Sequence, residues 1–591
     1  MTSSQPARVI EPTQPESDRP VAPSAGSQAE NPPGEQANII TIHLEEYFQV
    51  DAFNGLIDKQ QWYRFEARIR ENTHRTLDLL AEHKVKATFF VLAWNAEREP
   101  ELVREIADQG HDIATSGVYH RNIREMSRDE FLFDLRRSRD LIEQATGKPV
   151  HGFRMPSGWL KPDQLWVFEE LAREGFVYDS SLLPVLHHYR KEPWRRFPHL
   201  VETDSGNIWE MPPSAMRFAG MDIPLPGGNY FRQLPHRLGR RFVKGWLKKT
   251  DAPFHMYFHV WELDKTQPRI TAAGPLARLR HYRNLGKPSW VMEDYFRTYK
   301  FGSIEDYLKQ RDPQLFVDAQ VRRAERANSD STATAGFTDS VSTTAADKAT
   351  GPVTPVSIVI PCFNEERGLA YLGNTLDHLQ EVLEDKYVPT FIFVDDGSSD
   401  ETWPVLQKLF DDRPNYTLIK HEKNRGVSAA ILTGMKAADT EIVCSMDCDC
   451  TYDPLILKEM IPRLTDDVDL VTASPYHPEG TVRNVPEWRL VLSKGASFLY
   501  RRIIGGQLHT YTSCCRVYRK SAINQINVKE DHFLGIAELM CRLIQRGSKI
   551  VEYPATLSVR IFGLSKMKTV KTIFGHLGLL WRMKRERPDG T

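Results

Sequence analysis

Two stretches of this chain lack the periodic apolar positions that a packed element needs, and they decide where anything else can fold. Residues 1–37 are rich in Pro, Ser, Gln, Glu and Ala, the composition of a disordered tail. Residues 328–354 (NSDSTATAGFTDSVSTTAADKATGPVT) have the composition of a flexible linker. What remains is residues 38–327 and 355–591, each long enough for one large domain. Both blocks open on an apolar strand-like run, NIITIH at 38–43 and VSIVIP at 356–361. Strand signals then alternate with helical patterns, as in ATFFVL at 87–92, FIFV at 391–394 and EIVCSM at 441–446. That alternation predicts parallel α/β architecture in both halves. The halves share no motif, so two different enzyme-like domains on one tether are expected.

Composition excludes several classes. Lys plus Arg number 77 against 78 Asp plus Glu, for a net charge of -1, so no overall field points to nucleic acid. No apolar run reaches the ~18–20 residues that span a bilayer. The start, MTSSQPARVI, lacks the basic-then-apolar pattern of a secretory signal. A cytoplasmic address is therefore expected. The seven cysteines, 362, 444, 448, 450, 514, 515 and 541, are odd in number without paired C-x-x-C spacing. They read as reduced thiols rather than a disulfide framework or zinc site. Cys448 and Cys450 alternate with Asp447 and Asp449, as small packing residues at a strand end would.

Four features follow one another in the second block. Pro361-Cys362-Phe363-Asn364-Glu365 follows the opening strand, and Asp395-Asp396-Gly397-Ser398-Ser399-Asp400 follows another. Asn424-Arg425-Gly426 opens a helical stretch, and Asp447-Cys448-Asp449 ends the strand EIVCSM. Carboxylates at the C-terminal ends of parallel strands stand where open α/β sheets bind ligands. Asp395 and Asp396 can accept hydrogen bonds from a base or ribose, and Gly397 permits the tight turn. Asp447 and Asp449 alternate along an extended chain, so both can face one site and hold Mg²⁺ or Mn²⁺. Such a metal would neutralise a pyrophosphate leaving group.

In this order the motifs resemble the family 2 glycosyltransferases of GT-A fold, within them the polyprenyl-phosphate (dolichyl-phosphate mannose synthase-like) branch, over nearly all of residues 356–582. The resemblance implies a GDP- or UDP-hexose donor held by Pro361, Asn364, Glu365, Asp395, Asp396, Ser398, Gly426 and Arg516. Glu538, followed by Gly547 and an EYP strand, is similar to the family's acceptor-side pattern. Arg560-Ile561-Phe562-Gly563-Leu564-Ser565-Lys566 resembles its R-x-x-G-x-S-K loop, in which Arg560 and Lys566 offer charge-assisted bonds to phosphates, as would Arg516. A lipid phosphate is already an anionic nucleophile and needs positioning more than a base. A sugar hydroxyl needs a carboxylate, which Glu530-Asp531 can supply. Both acceptors stay open. Basic and apolar residues mix at 491–504 (VLSKGASFLYRRII) and 566–587 (KMKTVKTIFGHLGLLWRMKRER). These segments suit either an interfacial helix on an anionic leaflet or a helix packed on its own domain.

The first block carries its own trail, with Glu45-Glu46-Tyr47-Phe48-Gln49-Val50, Gly110-His111-Asp112, Phe153-Arg154-Met155-Pro156-Ser157 and Tyr178-Asp179-Ser180-Ser181. Pro226-Gly227-Gly228-Asn229-Tyr230, His259-Val260-Trp261-Glu262 and Gln267-Pro268-Arg269 complete it. These landmarks resemble the polysaccharide deacetylases (NodB homology, a distorted β/α barrel), in particular the subgroup of exopolysaccharide gene clusters, over about 39–301. The family uses an Asp base and an Asp or Glu plus two His on a metal. Here His43 stands at the base position and Glu45 at the metal carboxylate. Ser116 replaces one metal His, and His120 remains. Arg154, Asp179 and His259 match positions that orient the base and protonate the leaving amine. The reading is a domain impaired in hydrolysis that still binds glycan, with any Zn²⁺ held weakly. The alternative is a relocated ligand set of His43, Glu45 and His120, with Glu46 as base only if the strand bulges. The whole is thus a deacetylase-like barrel, then a Rossmann-like nucleotide-sugar domain, peripheral on the cytoplasmic membrane face.

Overall fold

A computed structural model describes residues 8–9, 37–183, 189, 191–218, 221–224, 227–333, 353–485, 487–563 and 569–586. The chain divides into two compact units. The first comprises residues 1–59, 67–267 and 275–342, and the second 60–66, 268–274 and 343–591. Two short segments from the N-terminal half of the sequence therefore count with the second unit. Nothing in the composition of QWYRFE (61–66) or PRITAAG (268–274) announces this.

In the first unit, Asn38–Leu44 is buried along its whole length. A strand covered on both faces needs a nearly continuous apolar run, which NIITIHL supplies except at Asn38, Thr41 and His43. It pairs in parallel with Thr88–Val91 on one side and His255–His259 on the other. Asp112–Thr115, Gly152–Phe153, Tyr178–Asp179 and Gly206–Glu210 continue the sheet in parallel beyond Thr88–Val91. His199–Thr203 joins antiparallel, and Arg8–Val9, from the stretch expected to be a disordered tail, pairs antiparallel outside it. The strand order does not return on itself, so the sheet is a curled, open half-barrel. Helices Ile69–Glu82, Pro100–Asp108, Arg128–Thr146 and Trp166–Arg173 join the successive strands. Arg128–Thr146 shows how sequence sets such bounds. Ser127 and Glu130 cap its start reciprocally, and Gly147 ends it in the left-handed region at φ 68°. Ile40, Ile42 and Leu44 meet Phe89, Val91 and Phe258 in the core. The last helix, Pro313–Ala333, carries regular structure past residue 328, into the stretch read above as linker.

The second unit is built on a seven-stranded sheet. Its order is Tyr416–Lys420, Tyr387–Asp395, Thr354–Cys362, Ile442–Ser445, Arg516–Arg519, Leu470–Ser474, Ile550–Pro554. The first four strands are mutually parallel, and Arg516–Arg519 runs antiparallel to both neighbours. From Thr354–Cys362 the chain adds strands first on one side and then, at Ile442–Ser445, on the other. That reversal is the topological switch point at which open α/β sheets bind ligands. Cys362, Asp395 and Ser445 end the three strands that meet there. Among the described residues, no helix is long and apolar enough to cross a membrane.

Candidate functional site

At the switch point of the second unit, each strand end is fastened before it presents a side chain. Asn364 adopts φ 53°, its N–H donates to Ser398 Oγ (2.8 Å), and its Oδ1 accepts from the Ser399 N–H (2.7 Å). Glu365 N–H donates to Thr402 Oγ1 at 2.6 Å. Pro361 lies inside its strand, in register with Val394. Asp395 is fully buried and accepts from Ser398 through Oδ1, while Oδ2 has no hydrogen-bond partner among the described residues. A buried carboxylate oxygen left open in this way is fitted to a donor from a ligand.

Asp396 behaves differently from its neighbour. Its carboxylate accepts from Asn424 Nδ2 and from the N–H groups of Arg425 and Gly426, at 2.7–2.8 Å, and pairs with His421. It shapes the Asn424-Arg425-Gly426 turn rather than reaching a ligand. Gly426 is required there. Its φ is 104°, and a Cβ would lie 2.5 Å from the Asp531 carbonyl oxygen.

Asp447 and Asp449 follow Ile442–Ser445, both half-buried, with Cys448 turned inward so that its Sγ lies 3.3 Å from Cys362 Sγ. Burial, and then the charge of Asp449, push the Asp447 carboxyl up to about 7. A cation beside Asp447 would favour its ionised form against Asp449, so the pair suits a hard divalent metal. Arg560 pairs with Glu365 and also, at 3.3 Å, with Asp449, which ties the R-x-x-G loop to the carboxylate end of the site.

The two segments from the N-terminal half hold these loops. Arg64, 2 % exposed, donates from Nη2 to both oxygens of Asp453, at 2.7 and 2.8 Å. Asp453 in turn caps the turn after Asp449 through Leu455 N–H. Asn374 Nδ2 fastens the Arg64 and Phe65 carbonyls, and Phe65 packs edge-on against Tyr371 and Phe562. Thr271 donates its N–H to the Ile561 carbonyl (3.0 Å) and its hydroxyl to the Gly563 carbonyl (2.8 Å). Sequence reasoning placed both segments with the first domain, because Gln267-Pro268-Arg269 is one of that domain's landmarks and no motif of the second domain marks either segment.

Other expected residues are placed otherwise. Arg516 is fully buried and donates to the Ile536 and Tyr511 carbonyls. It braces the interior instead of facing a phosphate. Glu538, equally buried, accepts from the Lys529 and Glu530 N–H groups and from Arg542, a capping role. Asp531 is exposed, with its carbonyl held by Ala429 N–H, and Glu530 pairs with Arg582. Lys566 lies outside the described residues.

In the first unit, His43 and Glu45 come from one strand end, and His259 stands in register with His43 on the next strand. The two imidazoles stack, with ring centroids 4.6 Å apart. His259 Nδ1 lies 2.5 Å from Glu45 Oε1, and His120 Nε2 lies 3.7 Å from Glu45 Oε2. Burial opposes charge on both members of the first pair, yet their attraction holds Glu45 below and His259 above the usual values. Burial, then the Arg154 guanidinium, drives His43 well down. Arg154 is itself buried, lies over the Tyr257 ring at 4.5 Å, and is lowered to about 10 by burial. Asp179 accepts from the Ser181 N–H and hydroxyl, and burial raises its carboxyl. The Ser116 hydroxyl is buried without a hydrogen-bond partner among the described residues, and as a neutral hydroxyl it does not fit the place of a zinc-binding imidazole. Glu46 accepts from the Arg68 and Ile69 N–H groups. It caps the helix Ile69–Glu82, so it is not turned to the site as a base.

Comparison with known proteins finds matches for both halves of the chain. The model of Glycosyl transferase family 2 matches residues 357–526, that of Polysaccharide deacetylase residues 57–174, and a Domain of unknown function (DUF3473) residues 180–309. A dolichol-phosphate mannosyltransferase of Pyrococcus furiosus is 30% identical over 232 residues, 39% of this chain and 64% of that protein. A polyprenol monophosphomannose synthase of Mycolicibacterium smegmatis is 30% identical over 223 residues, 36% of this chain and 82% of that one. The chain thus spans less than two thirds of the Pyrococcus protein's length. Among solved structures, a polysaccharide deacetylase from Mycobacterium smegmatis covers 50% of this chain and 96% of its own, with 16% identity and a TM-score of 0.33.

Proposed function

Because the chain belongs to glycosyl transferase family 2 through its second unit, we propose that it transfers a hexose from a nucleotide sugar to a polyprenyl-phosphate acceptor, in lipid-linked glycan or exopolysaccharide assembly. The observation that carries this reading is the carboxylate set Asp395, Asp447 and Asp449 at the switch point, closed by Arg560 and Glu365. Asp395 receives a donor from the nucleoside through its open Oδ2. Asp447 and Asp449 would hold Mg²⁺ or Mn²⁺, which when bound supplies charge neutralisation to a diphosphate. Arg560 brings a guanidinium to the same end of the site, where phosphate oxygens compete with Glu365 and Asp449 for it. An anionic phosphate acceptor requires no proton acceptor, consistent with an Asp531 that stands exposed.

The helices Glu487–Ile504 and Thr569–Arg585 support a membrane-facing acceptor. They pack on each other, with Tyr500 Oη 2.7 Å from His576 Nδ1 and with Leu579, Leu580 and Met583 buried. Each also exposes large apolar side chains, Trp488, Val491 and Phe498 on one and Phe574 and Trp581 on the other, near Lys494, Arg501, Arg502, Lys584 and Arg585. Exposed apolar side chains and cations on the same helices suit an anionic bilayer surface, here the cytoplasmic leaflet. In the first unit, the deacetylase scaffold has no carboxylate at the base position, and its acetamide-hydrolysing power is reduced accordingly.

The test is sugar transfer to a short polyprenyl phosphate, over a panel of nucleotide sugars with Mn²⁺. Asp449→Ala should abolish transfer with the fold retained by circular dichroism. Wild-type transfer in excess chelator would sink the metal assignment.

A further inference from the structure

The family-type ligand positions of the first unit are 45, 116 and 120, and Ser116 breaks that set. The structure assembles another. His43 and His259 stand side by side because their strands pair in parallel and in register, and Glu45 follows His43 by two residues on the same face. One ligand atom from each of the three lies within 4.8 Å of the others.

We infer that the first unit binds one divalent transition cation through His43, Glu45 and His259, a relocated site that leaves residue 116 out. This goes beyond the transferase reading and does not depend on it. His43 is 5 % exposed, and its Nε2 has no hydrogen-bond partner among the described residues. A buried ring nitrogen without a hydrogen-bond partner is open to a metal in the tautomer that carries the proton on Nδ1. His259 Nδ1 lies 2.5 Å from Glu45 Oε1, so an imidazole nitrogen and a carboxylate oxygen already face each other as two ligands of one cation would. Two histidines and a glutamate are a known zinc ligand set. Ligand atoms on a tetrahedral zinc stand about 3.4 Å apart, so side-chain rotation must bring atoms now within 4.8 Å of one another to that spacing. Trp261 Nε1, 3.4 Å from Glu45 Oε1, and His120 Nε2, on the side of Oε2, orient the carboxylate as outer partners do.

The experiment uses the full chain carrying Asp449→Ala, so that the transferase carboxylates do not compete, stripped by chelator and titrated with Co²⁺ alone. Visible absorption counts bound ions, and pulsed EPR reports coupling to imidazole ¹⁴N. One Co²⁺ with imidazole coupling is expected. His43→Ala and His259→Ala should each weaken it by more than the ~10–100-fold typical of losing an outer partner. His120→Ala should cost less, and Ser116→Ala nothing. His43→Gln, with circular dichroism and the metal-induced rise in Tm, separates loss of the ligand from loss of the fold. Absence of imidazole coupling in the parent overturns the inference. So does binding that His120→Ala abolishes while His43→Ala and His43→Gln leave it intact.

Discussion

Replacing Arg64 by Met keeps the long apolar stem, removes the guanidinium and leaves Asp453 without its cation. Arg64 is 2 % exposed, whereas the Asp453 side chain is 35 % exposed and keeps part of its water. The loss should therefore fall below the ~3–5 kcal/mol of breaking a fully buried pair and above the ~0.2–1 kcal/mol of an exposed one. About 2 kcal/mol is the middle of that interval, equivalent to about thirtyfold in an equilibrium constant. The effect should be local, because Asp453 caps the turn that follows Asp449. Hydrogen exchange of residues 447–456 in the Arg64→Met chain should accelerate about thirtyfold if these amides exchange by local opening. Asp453→Asn removes the charge that Arg64→Met strands. The double variant should therefore lose less than the sum of the singles, by at least about 1 kcal/mol. Unchanged exchange at 447–456 in Arg64→Met, or strict additivity in the cycle, would refute the reasoning.

Gly426→Ala places a Cβ 2.5 Å from a backbone oxygen at φ 104°. The backbone conformation alone should cost about 1–3 kcal/mol, read as a lower urea midpoint of the second unit. If a phosphate is the nucleophile, Arg560→Ala and Lys566→Ala should each depress turnover far more than Asp531→Asn. Loss of transfer in Asp531→Asn alone would instead identify a hydroxyl acceptor. Changing Phe574 and Trp581 together to Ser should weaken sedimentation with vesicles rich in anionic lipid while sparing donor hydrolysis. Equal binding by the double variant would exclude this face as the contact.

What the sequence disclosed were strand ends. The alternation of His43 and Glu45 is a property of extended chain, so two residues of spacing suffice to place both on one face. Asp447 and Asp449, expected on extended chain too, instead follow a strand that ends at Ser445, with Cys448 and Asp449 in a turn. What it withheld were contacts that depend on register or on burial. His259 becomes a neighbour of His43 only because two strands far apart in sequence pair without offset, and nothing local states that offset. A histidine at the end of HMYFH (255–259), as at the end of NIITIH, was the one available signal. Arg516 and Glu538 carry residue types that read as binding groups, but both satisfy backbone groups inside the unit. Asp395 and Asp396 look equivalent in sequence, and only the hydrogen-bond count separates a carboxylate with an open oxygen from one that is fully used. Charge pattern alone cannot report how many partners a buried carboxylate has found.

The membership of residues 60–66 and 268–274 in the second unit bears on how such a gene can change. A reading frame cut within 328–354 would deliver a transferase half that had lost Arg64 from Asp453 and Thr271 from the Ile561–Gly563 loop. Either half alone would be a poor starting point for selection. Rearrangements that separate the two coding regions should be counter-selected, and the pair should travel between genomes as a single inherited block.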